Sequence, residues 1–302
     1  MAMEPQRLMR LATVASMSTA LILIVAKLVA WRLTDSVSML SSLVDTSLDL
    51  VSSMVTFFAV RQALVPADDN HRFGHGKAEG LAGLIQAGFI AASGCALLVA
   101  IVERLGNPKQ VRDEEIGLVV SVLAVGLTLC LVTFQKYVVR RSGSLAINAD
   151  MAHYSTDLVA TLVTGAGVFL SGLLDQPLID SGVAAVVALY LMHGGWKVGG
   201  ESLNVLMDHE LPPEDARKIE AIARAHPGVK DAHDLKTRSS GLTRFIQLHI
   251  EVDRDLSVVL GHAIGLDVQA EIARAFPGAE IIIHVDPSPA PSEEKGPSLR
   301  SG

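Results

Sequence analysis

Six stretches of about 20 or more mostly apolar residues, near 9–31, 39–61, 80–102, 116–138, 146–171 and 178–198, occupy the first two-thirds of this 302-residue chain. A bilayer offers no water to unpaired backbone N–H and C=O groups, so runs of that length fold as helices that satisfy their own backbone. Half of the residues are apolar and the mean hydropathy is positive, a combination unusual for a soluble enzyme. The first run follows a short polar lead holding Arg7 and Arg10, with no small-residue cleavage site behind it, and is read as a retained helix. With the N-terminus inside, one side of the bundle carries Arg7, Arg10, Arg61, Arg72, Lys77, Lys136, Arg140 and Arg141, against Arg32, Arg104, Lys109 and Arg112 on the other. The excess of basic residues in short loops puts both termini in the cytosol.

Against that apolar background a few polar residues stand out. Asp45 and Asp49 are four residues apart in the second run, and His153 and Asp157 repeat the spacing in the fifth. On a helix, i and i+4 share a face. One unpaired Asp at mid-bilayer costs about 2.5 to 3.5 kcal/mol, so three left alone would cost on the order of 10 kcal/mol. Three carboxylates and an imidazole facing each other inside the bundle suit a divalent cation far better than lipid. Asp150 lies nearer the start of the fifth helix, where the dipole favours a carboxylate, and is left out of this set. Lys27 is expected to snorkel to the outer interface. The third run is rich in Gly and Ala, as close helix packing requires, and the fourth reads as structural. Cys95 and Cys130 sit singly in apolar runs, which suggests no disulfide framework and two buried small hydrophobes.

Between the second and third runs lies Val65-Pro66-Ala67-Asp68-Asp69-Asn70-His71-Arg72-Phe73-Gly74-His75-Gly76-Lys77. Its Asp68, His71 and His75 offer oxygen and nitrogen donors, although the spacing is not that of HExxH, and a plain polar turn is the alternative reading. From Asp208 the composition becomes that of a small soluble domain, with segments in the order αββαβ: a helix from Pro213 to about Ala225, strands at 229–238, 243–252 and 279–285, and a helix at 257–275. Ile246, Leu248, Ile250 and Val252 form one strand face, leaving Gln247, His249 and Glu251 on the other. With His233, His262, His284 and Asp286 there are donors enough for one or two metals, or a scatter of surface histidines. The net charge of −7 argues against nucleic-acid binding.

The Asp45/Asp49 and His153/Asp157 pairs, the loop from Pro66 to Glu79, Ala232-His233-Asp234-Leu235-Lys236-Thr237-Arg238, and Ile283-His284-Val285-Asp286-Pro287 together resemble the cation diffusion facilitator family, and most closely its bacterial zinc and ferrous-iron efflux members. The resemblance spans nearly the whole chain. It implies a membrane α-helical fold of six transmembrane helices (1–207), a small α+β metallochaperone-like cytosolic domain (208–286) and a disordered tail (287–302). It also implies a homodimer in the cytoplasmic (inner) membrane, exporting Zn²⁺ or another divalent metal in exchange for protons. Three sites follow from it: a transport site of Asp45, Asp49, His153 and Asp157; a loop site of Asp68, His71 and His75; and a binuclear site of His233, His249, His262, His284 and bridging Asp286. In such relatives Lys77 and an acidic residue after the sixth helix, here Asp208, hold the dimer together.

Three other classes compete. A channel needs weak binding at several points, unlike a fully liganding buried site. An intramembrane hydrolase needs a metal-bound water and a spare general base, which four donors do not leave. A membrane metal sensor would need an effector domain.

Overall fold

The computed structural model describes residues 4–35, 37–106, 115–174 and 177–289, and the tail from 290 lies outside them. Backbone contacts divide the chain into two units, Met1–Leu206 and Met207–Gly302.

The first unit is a bundle of six helices: α1 (Pro5–Thr34), α2 (Val37–Ala63), α3 (Ala78–Gly106), α4 (Glu115–Ser142), α5 (Leu145–Leu174) and α6 (Pro177–Leu206). Each is longer than its apolar run, since a helix that spans hydrocarbon continues into polar surroundings where its residues need not be apolar. Among the described residues α1 to α4 are long and apolar enough to cross a membrane; α5 and α6 have the length, at 30 residues each, and their outer portions include undescribed side chains. The third run packs as its composition implies, with α3 lying against α6 along most of its length. A Cβ at Gly195 would come within 3.2 Å of the Ala87 carbonyl oxygen and 3.3 Å of the Ala91 nitrogen, so the absence of a side chain favours this close approach.

One sequence expectation fails here. Cys95 and Cys130 are exposed on the bundle exterior, because in a spanning helix the outward face is as apolar as the inward one. Helix α4 is structural, as its run implies, and its Gln135 enters a polar network in the bundle core.

The α4–α5 connection is tight. Gly143 takes a left-handed φ of +70° after α4, its N–H bonding the Val139 carbonyl at 2.8 Å, and the Ser144 hydroxyl accepts the Ile147 N–H at 3.3 Å to cap α5.

The second unit comprises α7 (Pro213–Ala225), β1 (Asp231–Ser240), β2 (Thr243–Val252), α8 (Val258–Ala275) and β3 (Glu280–Pro287). The order is αββαβ, with boundaries within two residues of the sequence reading. Strand β2 is central, antiparallel to β1 and parallel to β3. The predicted apolar face, Ile246, Leu248, Ile250 and Val252, is buried against Ile219, Val268 and Ile272 of the two helices. The opposite face is free to carry polar chemistry.

Candidate functional site

In the helical unit, α2 and α5 bring Asp49, His153 and Asp157 together, with one ligand atom from each lying within 4.8 Å of the others. His153 Nε2 is 3.4 Å from Asp49 Oδ1 and 3.5 Å from Asp157 Oδ2. The imidazole is 3 % exposed, and neither ring nitrogen makes a hydrogen bond. Buried polar groups are nearly always paired, and two carboxylates aimed at an unbonded imidazole suit a cation between them. Asp45, one turn before Asp49, is exposed on α2 and stays outside this group of three.

The loop set also converges. Asp68 Oδ1 accepts the backbone N–H groups of Asn70 at 2.9 Å and His71 at 2.7 Å, forming a turn that aims its other oxygen inward. His71 Nδ1 and His75 Nε2 each lie 3.4 Å from the Asp68 carboxylate. The backbone N–H of His71, above all, holds the Asp68 carboxyl below the usual carboxylate range. His75 Nδ1 is buried without a hydrogen-bond partner.

In the soluble unit the sheet register assembles the third set. His233 pairs with His249 across β1–β2, and His249 pairs with His284 across β2–β3, so three histidines stand in one row. Asp286, two residues beyond His284 on the same face, accepts from His249 Nδ1 at 2.8 Å and lies 3.1 Å from His284 Nε2 and 3.8 Å from His233 Nε2. It is the common partner of all three. A bulge between His233 and Lys236, with Asp234 at φ +49°, turns the Asp234 carboxylate to within 3.8 Å of His249 Nε2. Lys236, first by its hydrogen bond and then by its charge, keeps the Asp234 carboxyl below the ordinary range. His262 is exposed on α8 and lines a hollow of about 480 Å³ together with His284 and Asp286. Helix α8 packs on the apolar face of the sheet, so His262 stays apart from the tightest group, His233, His249 and Asp286.

Three polar features escaped the sequence reading. Asp150 is a hub: its Oδ2 accepts from Ser16 Oγ of α1 and Gln135 Nε2 of α4, both at 2.7 Å. Its Oδ1 accepts from Gln86 Nε2 of α3 at 3.3 Å and Thr56 Oγ1 of α2 at 3.5 Å. Glu79, 1 % exposed on α3, caps the start of α5. Lys27 points at α2 instead of snorkelling outward. Gln86 and Gln135, single amides in apolar runs, were the available sign of the first.

A bundle of long apolar helices with His and Asp side chains gathered inside it, joined to an α+β domain with a row of histidines, defines a multi-pass membrane protein that handles cations. The comparisons agree in both parts. Residues 13–207 match the cation efflux transmembrane domain, and residues 211–288 match the cation efflux protein cytoplasmic domain. The chain is 41 % identical over 287 residues to the cation-efflux pump FieF of Serratia proteamaculans, covering 94 % of this chain and 95 % of that one. It is 40 % identical over 292 residues to FieF of Shigella flexneri, covering 96 % of each. Among solved structures, the zinc form of CzrB aligns with 30 % of this chain and 99 % of its own at 34 % identity, with a TM-score of 0.27. The chain belongs to the cation efflux, or cation diffusion facilitator, family, and it is a metal-cation efflux transporter, not an enzyme.

Proposed function

We propose that this protein exports Zn²⁺, or a cation of like ligand preference such as Fe²⁺, Cd²⁺ or Co²⁺, from the cytosol in exchange for protons, by alternating access. The supporting observation is His153, buried with both ring nitrogens unbonded between Asp49 and Asp157. In this reading Asp45 completes the donor set when α2 shifts, giving three oxygens and one nitrogen. That count closes a tetrahedron and leaves no open position for chemistry on water. Ligands shed protons to hold metal and give metal up when reprotonated, which couples the two fluxes. Each proton entering along about 100 mV contributes roughly 2.3 kcal/mol toward export.

The working unit is a homodimer in the cytoplasmic membrane with both termini in the cytosol, consisting of a transmembrane domain (1–207), a cytosolic metal-binding dimerisation domain (208–286) and a tail (287–302). Asp68, His71 and His75 take a metal in the loop. In this reading the row of His233, His249 and His284, with His262 and Asp286, takes one or two resident metals; imidazole and carboxylate donors in this number suit zinc, and the nearness of Asp286 to His249 and His284 supports a bridging role for it. Such ions stabilise the folded domain by mass action.

The test is metal uptake into proteoliposomes for Zn²⁺, Fe²⁺, Cd²⁺, Co²⁺ and Mn²⁺ at two external pH values, with Asp49→Ala and Asp157→Ala beside the parent. Metal-dependent proton flux that disappears in both variants is the expected result. Flux indifferent to pH would reject antiport, and full flux in both variants would reject the site.

A further inference from the structure

Lys27 sits in the apolar run of α1, where the cheap course for an ammonium is to extend along the helix toward water. It does not take that course. Its Nζ donates to Thr46 Oγ1 at 2.5 Å and to the Ser42 carbonyl at 3.2 Å, both on α2. Thr46 lies directly after Asp45 and one turn before Asp49. Asp45 and Asp49, carboxylates of the helical donor site, therefore flank the residue that ties the ammonium to α2. The fold has thus directed a scarce intramembrane cation at the wall of that site.

We propose that Lys27 is a tethered counter-charge that sets the affinity of the site for a divalent cation. The inference rests on the reading of Asp45, Asp49, His153 and Asp157 as the cargo site. With its ligands deprotonated, as metal binding requires, three carboxylates and one ammonium leave two net negative charges, the amount that a single divalent ion cancels. Without the ammonium, the loaded site would retain a negative charge in a medium of low dielectric, and the ion would be held too tightly to leave. Lys27 acts through Asp45 and Asp49 without touching the metal. It is a positioning residue, and the hydrogen bonds to Thr46 and Ser42 hold it against α2.

The test uses the full chain with His249→Ala and Asp68→Ala as background, so that binding reports the helical site. Zn²⁺ affinity is measured by calorimetry in detergent, and KM and kcat for Zn²⁺ are measured in proteoliposomes. Removing a unit positive charge from the wall of the site, at an effective dielectric near 20, raises its affinity for a divalent ion by roughly tenfold or more. Lys27→Met is therefore expected to bind Zn²⁺ roughly tenfold or more tighter, with KM and kcat falling together as release slows, while Lys27→Arg keeps the parent values. Lys27→Gln gives the same reading if the Met variant does not fold. Unchanged affinity and kinetics in Lys27→Met, or weaker binding, would overturn the proposal. Asp157→Ala in the same background separates the two readings: if it abolishes binding while Lys27→Met changes nothing, only the counter-charge idea falls, whereas retained binding in Asp157→Ala removes the site itself.

Discussion

Glu79 on α3 caps the first turn of α5: its Oε2 accepts the backbone N–H of Leu145 at 2.7 Å and of Ala146 at 3.3 Å, and the Ser144 hydroxyl at 3.0 Å. A carboxylate at a helix N-terminus satisfies orphan donors and complements the dipole. Because α5 carries His153 and Asp157, the cap also fixes how far along the bundle those side chains sit. Glu79→Ala should cost about 1 to 3 kcal/mol, seen as a lower thermal midpoint in detergent. Metal affinity at the helical site should fall with it, and an unchanged midpoint would show that the cap is dispensable.

Asp150 joins five helices through side chains of α1, α2, α3 and α4, and every partner is a neutral donor. Asp150→Ala leaves those buried donors without their shared acceptor, so a loss of about 3 kcal/mol or more is expected. Asp150→Asn keeps one acceptor oxygen and should lose less. Thermal unfolding of the three proteins in one detergent ranks them, and equal midpoints would contradict the network.

Gly195 and Gly200 make a matched pair on α6. A methyl at Gly195 meets backbone atoms of α3, which cannot rotate away, while one at Gly200 meets nothing within 4 Å. Gly195→Ala should destabilise by about 1 to 3 kcal/mol through overpacking. Gly200→Ala should be neutral or gain up to about 1 kcal/mol from helix propensity. A shared sign of effect would argue against the close α3–α6 approach.

The loop offers a pH test. The Asp68 carboxyl is held below its usual range chiefly by the His71 N–H, so the turn's stabilisation is present above the ordinary carboxylate pKa and is lost as pH falls through the lowered folded value. Hydrogen exchange at the Asn70 and His71 amides, corrected for its intrinsic pH dependence, should show constant protection from pH 7 down to about 5, with loss only below about pH 4. Asp68→Ala should lack that protection throughout. Protection fading already near pH 6 in the parent would mean that another group governs the loop.

Much of the architecture was legible in the chain. Apolar runs marked six helices, and the period-2 alternation in β2 separated the core face of Ile246 and Leu248 from the face of His249. What alternation does not reveal is register: His233, His249 and His284 are far apart in sequence, and only the pairing of three strands sets them side by side. The bulge that turns Asp234 toward His249 has no local signature, since it arises where β1 must accommodate an extra residue against β2.

In the bundle, sequence alone determined that Asp45, Asp49, His153 and Asp157 share helix faces and that lipid cannot accept them unpaired. Tertiary structure decided which neighbours each polar residue received. Asp150 and His153 stand three residues apart on α5, almost on one face, yet one is wrapped in neutral donors and the other is set against Asp49. Helical period fixes a side chain's direction, but what it meets there comes from helices dozens of residues away, and packing alone chooses that.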